Sequence, residues 1–354
     1  MKTIMITGGS GFIGSHLVRH FVMKYPDYHI LNVDKLTYAA NQENLLDIEN
    51  QPNYTFLKCD ISNYRKISDI IAGYSVDAII NLAAESHVDR SITNPFEFVK
   101  TNVLGTVTLM QAAKDYWDML PEKYEDKLFY HVSTDEVYGS LELGDERSFT
   151  EDDKYQPNSP YSASKASSDH FVRAFYKTYK FPTIISNCSN NFGPNQFPEK
   201  LIPLVVNRIM NNKTIPVYGT GDNVRDWLYV GDHVNAIDTI FHNGLVGETY
   251  NIGGCNEISN IDLVHRIILI ADDLLGRDPS EDMCLITFVE DRKGHDKRYS
   301  VSPAKLVGQL GWKPSKNFGE RLRDTIQWYI NNREWLDRCE TRNTWYKKRN
   351  DEKN

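Results

Sequence analysis

Three tyrosines of this 354-residue chain stand four positions before a lysine: Tyr54 before Lys58, Tyr161 before Lys165 and Tyr176 before Lys180. The pattern has chemical content because an ammonium beside a phenol favours phenolate and makes the tyrosine a base for a hydroxyl. Tyr54 lies on an expected strand and Tyr176 late in a helix. Tyr161 follows Ser159-Pro160 at a helix start, so Lys165 shares its face one turn on. The alternative is an ordinary pair on a helix surface. Upstream, LFYHVS runs into Thr134, Asp135 and Glu136, a hydroxyl and two carboxylates at the end of a parallel strand, where such sheets bind ligands. A simple oxidoreductase has no evident use for two acids there. A ketone at carbon 4 of a hexose acidifies the hydrogen on carbon 5 and makes the carbon 6 hydroxyl a leaving group, and elimination then needs one base and one acid. Glu136 as base and Asp135 as acid supply that pair if their surroundings hold one ionised and the other protonated. Taken alone, Asp-Glu reads as a solvated acidic turn.

A second constellation sits near the N-terminus. The strand TIMIT leads into GGSGFIG, with Gly8, Gly11 and Gly14, and then the apolar helical run SHLVRHFV. Glycines there permit a tight turn and let backbone N–H groups at the helix start approach a pyrophosphate. Asp34 closes the next strand, where a carboxylate accepts from a ribose hydroxyl and repels the extra phosphate of NADP, so NAD is the expected cofactor. Lys35 beside it pulls the other way. A glycine-rich turn that serves helix packing alone is the competing reading. His16 and His20, four apart on the first helix, lack a third ligand and read as helix-surface residues; no metal is expected.

Elements that place these residues follow from periodicity. TIMIT, YHILNVDK, YTFLKCDI, VDAIINLAA, LFYHVST and PTIISNCSN alternate with helix-length stretches, which implies βαβ units in a Rossmann-type, doubly wound parallel α/β sheet. Beyond about residue 187 the texture turns to Asn, Gly and Pro loops. We therefore divide the chain into a nucleotide-binding unit, 1–186, to which about 225–255 returns, and a smaller mixed α/β substrate-binding unit, 187–224 and 256–340. The charged segment 341–354 reads as a solvated tail. A net charge of −8 disfavours a nucleic-acid footprint. Five scattered cysteines without CxxC spacing argue against a disulfide framework, and no leader or apolar span is evident, so a cytoplasmic protein away from membranes is expected. Asn190, Lys200, Arg225, Asn260, Arg292 and His295 are candidate nucleotide-diphosphate and base contacts, arginine being suited to bidentate phosphate recognition.

In order along residues 1 to 335, GGSGFIG, NLAAESHVDRSI, STDEVYG, SPYSASKASSDH, NCSNNFGPNQFPEKLIP, RDWLYV, YNIGGCNE and VEDRKGHDKRY resemble the signature series of the dTDP-glucose 4,6-dehydratase family of extended short-chain dehydrogenases/reductases. STDEVYG discriminates, since related epimerases and decarboxylases keep the tyrosine and lysine but lack the Thr-Asp-Glu trio. The resemblance implies that Tyr161, with Lys165, deprotonates the carbon 4 hydroxyl while NAD takes the hydride and Thr134 hydrogen-bonds the oxygen. It implies Glu136 as base at carbon 5 and Asp135 as acid at the departing hydroxyl. By the same carry-over, Phe12, Ile13, Asp34, Lys35, Leu36, Thr37, Asp60, Ile61, Leu82, Ala83, Ala84, Ser86, Thr101 and Asn191 join the glycines, Tyr161 and Lys165 around NAD. Ser86, Thr134, Asn190, Glu199, Lys200, Pro216, Val217, Tyr218, Arg225, Asn260, Arg292, His295 and Asp296 hold dTDP-glucose. A homodimer through the helices after Thr101 and Tyr161 is implied as well. The chain departs from the family pattern at Asn195, where an aromatic is usual, at Lys293, and in lacking an aromatic-rich C-terminal tail. A UDP-sugar 4-epimerase, a UDP-sugar decarboxylase and a non-catalytic NAD-binding protein are the alternatives.

Overall fold

The computed structural model describes residues 2–351, and for 279, 280 and 343–351 the backbone alone. The first half of the chain runs β1 (Lys2–Thr7), α1 (Phe12–Lys24), β2 (Tyr28–Asp34), β3 (Tyr54–Lys58), α2 (Tyr64–Gly73), β4 (Ala78–Asn81), α3 (Val88–Thr93), α4 (Pro95–Phe98), α5 (Gly105–Trp117), β5 (Leu128–Thr134) and α6 (Pro160–Tyr179). After β6 (Thr183–Cys188) come β7 (Asn190–Phe192), α7 (Leu201–Met210), β8 (Ile215–Tyr218), β9 (Val224–Tyr229), α8 (Val230–Asn243), β10 (Thr249–Ile252) and β11 (Glu257–Ser259). The remainder is α9 (Asn260–Leu275), α10 (Pro279–Met283), β12 (Ile286–Val289), α11 (Ala304–Leu310), α12 (Phe318–Asn331) and α13 (Arg333–Asp351).

Seven strands form one sheet in the order β10-β6-β5-β4-β1-β2-β3, every pair parallel. This is the doubly wound α/β fold expected from the alternating pattern. Side-chain alternation feeds two cores: Ile4 and Ile6 of β1 pack with Leu17, Val18 and Phe21 of α1 on one face, while Met5 packs with α2 and α5 residues such as Ile67 and Leu109 on the other. Strand order reverses between β1 and β4, and the crevice outside their carboxyl ends is where this topology binds ligands.

The smaller unit is built on β11-β9-β7 and β12-β8, with a core of its own that includes Ile202, Val205, Val217, Leu263, Ile267 and Ile326. The returning segment splits: β9 pairs within the small sheet, and α8 and β10 rejoin the large one. Residues 304–312, expected in the smaller unit, pack instead on the large one, because Leu306 and Trp312 are buried in the core shared by α8 and β10. The segment expected to be a free charged tail begins inside α13; Arg342 bonds to Ala40 O and Asn41 Oδ1, and residues 352–354 lie outside those described. Among the described residues no helix is long and apolar enough to cross a membrane.

Candidate active site

A cleft of about 300 Å³ opens along the carboxyl ends of the central strands. Its floor at the β1 end is the glycine turn. Gly8 adopts φ +70°, its N–H bonds to Val33 O at 2.9 Å, and a Cβ there would lie 2.8 Å from the Ala83 backbone. A Cβ on Gly14 would fall 2.1 Å from Gly8 O. Gly11 differs, for the nearest atom to its missing Cβ is Gly8 O at 3.3 Å, so its cleft side is open. Gly11 is the N-cap of α1 and no side chain caps the helix; free N–H groups and the positive end of the helix dipole therefore face the cleft, a fit for a pyrophosphate.

Asp34 ends β2 and accepts from Ser10 N at 3.1 Å and Leu36 N at 2.7 Å, bracing the turn while keeping lone pairs for a ribose. Burial raises its pKa, and those two N–H groups oppose the rise. Phe12, Ile13, Lys35, Thr37, Ile61, Leu82, Ala83, Ala84, Ser86, Thr101 and Asn191 line the same cleft. Leu36 and Asp60 shape its loops without lining it: Leu36 takes φ +60°, and Asp60 Oδ1 accepts from Ser62 N at 2.9 Å. Thr101 belongs to a single π-helical stretch, Val99–Leu104, a wide turn of the kind often found at functional sites. The Asn102 side chain in that stretch holds both backbone groups of Glu85.

The chemistry-bearing residues converge at the β5 end. Thr134 caps the short helical turn Asp135–Tyr138. Its Oγ1 donates to Asp135 Oδ1 at 3.3 Å and receives Glu136 N at 3.4 Å. On the facing wall, Ser159 and Ser162 form a capping box and Pro160 occupies the first turn of α6, fixing where Tyr161 and Lys165 enter the cleft. Electrostatics separate the two acids. Burial, then the neighbouring Glu136, pushes Asp135 well above the usual carboxylate range. Glu136 is raised as well, by burial and by Asp296, with Lys200, Arg225 and Arg292 opposing the rise. One correction concerns Tyr161: burial, Glu136 and Cys188 hold its phenol well above the ordinary value. Lys165 does not oppose this directly, since its Nζ turns away to Val132 O at 2.8 Å and towards His131 Nε2 at 3.4 Å.

Behind Lys165 lies a polar chain that sequence reasoning missed. Thr7 Oγ1 donates to Asn81 Oδ1 at 2.6 Å, and Asn81 Nδ2 donates to His131 Nδ1 at 3.1 Å. The proton of this imidazole is therefore on Nε2, 3.3 Å from Asp169 Oδ1. Asp169 Oδ2 in turn accepts from Ser133 Oγ at 2.7 Å. Burial lowers His131 to about 4, so the ring is neutral. Thr7, Asn81 and His131 are register partners across β1, β4 and β5. The signal available beforehand was a polar residue at a buried position in each of these apolar strands. His16 and His20, read as surface residues, are packing partners: His16 Nε2 meets Pro194 O at 2.9 Å and His20 Nε2 meets Asp238 Oδ2 at 2.8 Å.

A further hollow of about 160 Å³ adjoins the cleft and shares Ser86, Glu136, Asn190, Glu199 and Lys200 with it. Arg225, Arg292, His295 and Asp296 complete its wall. Several of its charged groups are already paired within the protein. Arg292 grips Asp89 through Nε at 2.6 Å and Nη2 at 3.1 Å, and Arg225 donates to Asp296 O at 2.9 Å while stacking over Tyr299. Glu199 accepts from Tyr38 OH at 2.8 Å, and Lys200 donates to Ser86 O at 2.9 Å. Pro216, Val217, Tyr218 and Asn260 do not line either space; Val217 is buried in the core of the smaller unit, and Tyr218 OH bonds to Asp89 Oδ2 at 3.3 Å.

A family model described as GDP-mannose 4,6 dehydratase matches residues 5–325. The dTDP-glucose 4,6-dehydratase of Neisseria meningitidis serogroup B is 50% identical over 341 residues, 95% of each chain. The chain belongs to the dTDP-glucose 4,6-dehydratase family. A crystal structure of the Bacillus anthracis dTDP-glucose 4,6-dehydratase in complex with NAD superposes with a TM-score of 0.84 at 44% identity, over 96% of this chain and 100% of that one. The Streptomyces venezuelae dTDP-glucose 4,6-dehydratase, solved with NAD and a further ligand, gives 0.86 at 43% identity over 95% and 99%.

Departures from the dehydratase pattern have local reasons. Asn195 adopts φ +67°, a left-handed conformation that asparagine tolerates better than an aromatic, and its amide donates to Asn44 Oδ1 at 3.1 Å. Lys293 is exposed ahead of Gly294 at φ +65°. Helix α13 braces the loop over the cofactor end, with Trp335 Nε1 on Asn44 Oδ1 at 3.0 Å and Arg338 on Glu43 at 3.0 Å.

Proposed function

We propose that this protein is a NAD-dependent dTDP-glucose 4,6-dehydratase, a hydro-lyase that converts dTDP-glucose to dTDP-4-dehydro-6-deoxy-glucose and water for deoxysugar synthesis. The observation that carries the reading is a pair of adjacent carboxyls, Asp135 raised well above the usual carboxylate range and Glu136 raised by burial against the opposing pull of three cations, in the cleft that Tyr161 also lines. Two acids with separated protonation are what an elimination requires, and an epimerase or a decarboxylase has no step that uses both. NAD, when bound, supplies the reversible redox chemistry, taking up hydride from carbon 4 and giving it back to carbon 6.

The glycine turn and the α1 N-terminus hold its pyrophosphate and Asp34 its ribose. Tyr161 removes the proton of the carbon 4 hydroxyl, with Lys165 one helical turn further along α6 in the same cleft. Glu136 takes the carbon 5 proton and later restores it; Asp135 protonates the departing carbon 6 hydroxyl. Arg225, Arg292, Lys200, Asn190 and His295 face the diphosphate and sugar. Asn190 Oδ1 is buried without a partner, a ready acceptor for a sugar hydroxyl.

The working unit is a dimer in this reading. Phe96, Val99 and Leu104 of the 95–104 segment and Phe171 of α6 are exposed apolar side chains on elements that adjoin one another, and such a face needs covering. Five free thiols suit a reducing cytoplasm. Incubation with dTDP-glucose tests the activity: mass spectrometry is expected to show loss of one water with no net build-up of reduced nicotinamide. An unchanged mass, or steady accumulation of NADH, overturns the reading. Light scattering at twice the chain mass supports the dimer, and a single-chain mass refutes it.

A further inference from the structure

Dehydration without net oxidation borrows a hydride from carbon 4 and returns it to carbon 6, so a cofactor that leaves between the two steps strands a half-reacted sugar. Substrate and product nevertheless pass through the same cleft at every turnover. One cluster of side chains joins the two requirements. Tyr38 belongs to the loop after β2, whose Lys35, Thr37, Ala39 and Ala40 line the cleft and whose Asn41 N bonds to the glycine turn at Ser10 O, 2.8 Å away. The Tyr38 side chain leaves that loop and is buried in the core of the smaller unit, edge-on to Phe197 with ring centroids 5.4 Å apart. There its hydroxyl donates to Glu199 Oε1 at 2.8 Å. Arg90 of α3 lies over the ring at 3.5 Å, and its Nε stands 3.5 Å from Glu199 Oε2.

Resting on the dehydratase reading above, we propose that Tyr38, Arg90 and Glu199 form a clasp through which the bound sugar nucleotide holds NAD in place, Tyr38 and Arg90 being positioning residues that tie the arm 197–200 to the cofactor loop. That arm faces both spaces. Glu199 and Lys200 line the cleft and the adjoining hollow alike, and Lys200 reaches Ser86 O at 2.9 Å. A diphosphate that engages Lys200 fixes the arm; the fixed arm holds the Tyr38 hydroxyl, and the loop beside the glycine turn is held with it. Order gained from one ligand then lowers the cost of ordering for the other, a coupling that needs no contact between the two. Linkage is reciprocal, so NAD raises the affinity for the nucleotide by the same factor. The tyrosine suits this task. Burial, then Glu199, holds its phenol far above the ordinary value, so the hydroxyl remains a donor at every working pH. Its ring is fixed on two sides, by the Arg90 guanidinium and by Phe197, so the hydroxyl is aimed at Glu199 rather than free to wander.

The test follows exchange of protein-bound NAD for radiolabelled NAD, with and without dTDP, in the wild-type and Tyr38→Phe holoenzymes; phenylalanine keeps the buried ring and removes the hydroxyl. In the wild type dTDP is expected to slow exchange at least about tenfold, and in Tyr38→Phe to change it by less than about twofold. Water loss from dTDP-glucose by the variant should begin near the wild-type rate, decay during the assay and recover when NAD is added. Wild-type exchange that ignores dTDP overturns the clasp. A variant that exchanges NAD faster by one and the same factor with and without dTDP overturns it too, since Tyr38 then only packs the loop. A linear progress curve in the variant, unaffected by added NAD, counts against it as well. Should Tyr38→Phe fail to fold, Arg90→Lys takes its place, because lysine keeps a cation but not the flat guanidinium over the ring: loss of the dTDP effect supports the clasp and a wild-type response opposes it. The dehydratase reading is judged separately, on the wild type alone. If that protein leaves dTDP-glucose intact while dTDP still slows NAD exchange, the reading fails and the clasp stands.

Discussion

The two ends of the cleft are made of different material. At the cofactor end the surface is backbone: a glycine turn, an uncapped helix start and a carboxylate that braces the turn through two N–H groups. At the nucleotide end it is charged side chains already held in place, Arg292 on Asp89, Arg225 on the Asp296 carbonyl and the Tyr299 ring, Glu199 on Tyr38. Backbone donors stay oriented whether or not a ligand is present, so the cofactor end is preorganised. Paired side chains must share or exchange partners when a diphosphate arrives. The difference matches the reaction, in which the cofactor is recycled in place while substrate and product pass through the other end each time.

The largest expected effect sharpens the account of the cofactor end. Gly14→Ala would put a Cβ 2.1 Å from Gly8 O, against backbone that cannot yield, and should cost about 3 kcal/mol of stability together with measurable NAD binding. Gly11→Ala meets only Gly8 O at 3.3 Å, and Gly11 has φ −81°, which alanine adopts freely. It should keep the thermal midpoint while weakening NAD at least about tenfold, because the new methyl occupies ligand space. Equal losses of stability in both variants would break the distinction between glycines needed by the fold and glycines needed by the ligand.

Asp169→Asn comes next and probes the buried chain behind Lys165. Burial lowers the Lys165 pKa, and Asp169 is the first influence that raises it again; Cys188 contributes in the same sense, and neutral His131 lies between the lysine and the carboxylate. Removing the carboxylate lowers the lysine further, so its ammonium is lost at lower pH. The alkaline limb of kcat/KM should move towards acid, with a loss on the order of 100-fold at its upper end. A uniform loss with an unmoved limb would mean that Asp169 only packs the sheet edge against α6.

What was legible in the sequence follows the same division. GGSGFIG, the strand runs and STDEVYG are local strings whose geometry is set by near neighbours, and the structure puts each of them on the expected turn or strand end. His131 with Asp169 was not legible, because a polar residue inside LFYHVST acquires meaning only when α6 is laid against β5. The Arg292–Asp89 pair joins residues 203 apart, and no spacing rule reaches that far. The direction of Lys165 was misread for a related reason: helical periodicity places it on the face of Tyr161, but the carbonyl of Val132 on the neighbouring strand decides where its ammonium points. Residues 304–312 were assigned by their position in the chain, whereas Leu306 and Trp312 follow the apolar surface of α8 and β10.

Arg292→Lys is the smallest effect and tests the nucleotide end directly. The guanidinium meets both oxygens of Asp89 in a fork, Nε to Oδ1 and Nη2 to Oδ2, a geometry that a lysine ammonium cannot reproduce. If Arg292 serves to hold the diphosphate while Asp89 steadies it, the lysine variant should raise KM for dTDP-glucose about tenfold and leave kcat within roughly twofold, the signature of lost uniform binding. Arg292 also opposes the burial that raises the Glu136 pKa, and lysine preserves that charge, so kcat is expected to hold. A fall in kcat at unchanged KM would reverse the assignment: Arg292 would then act on the base at carbon 5, and the nucleotide end would be as rigidly committed to the chemistry as the glycine turn is to the cofactor.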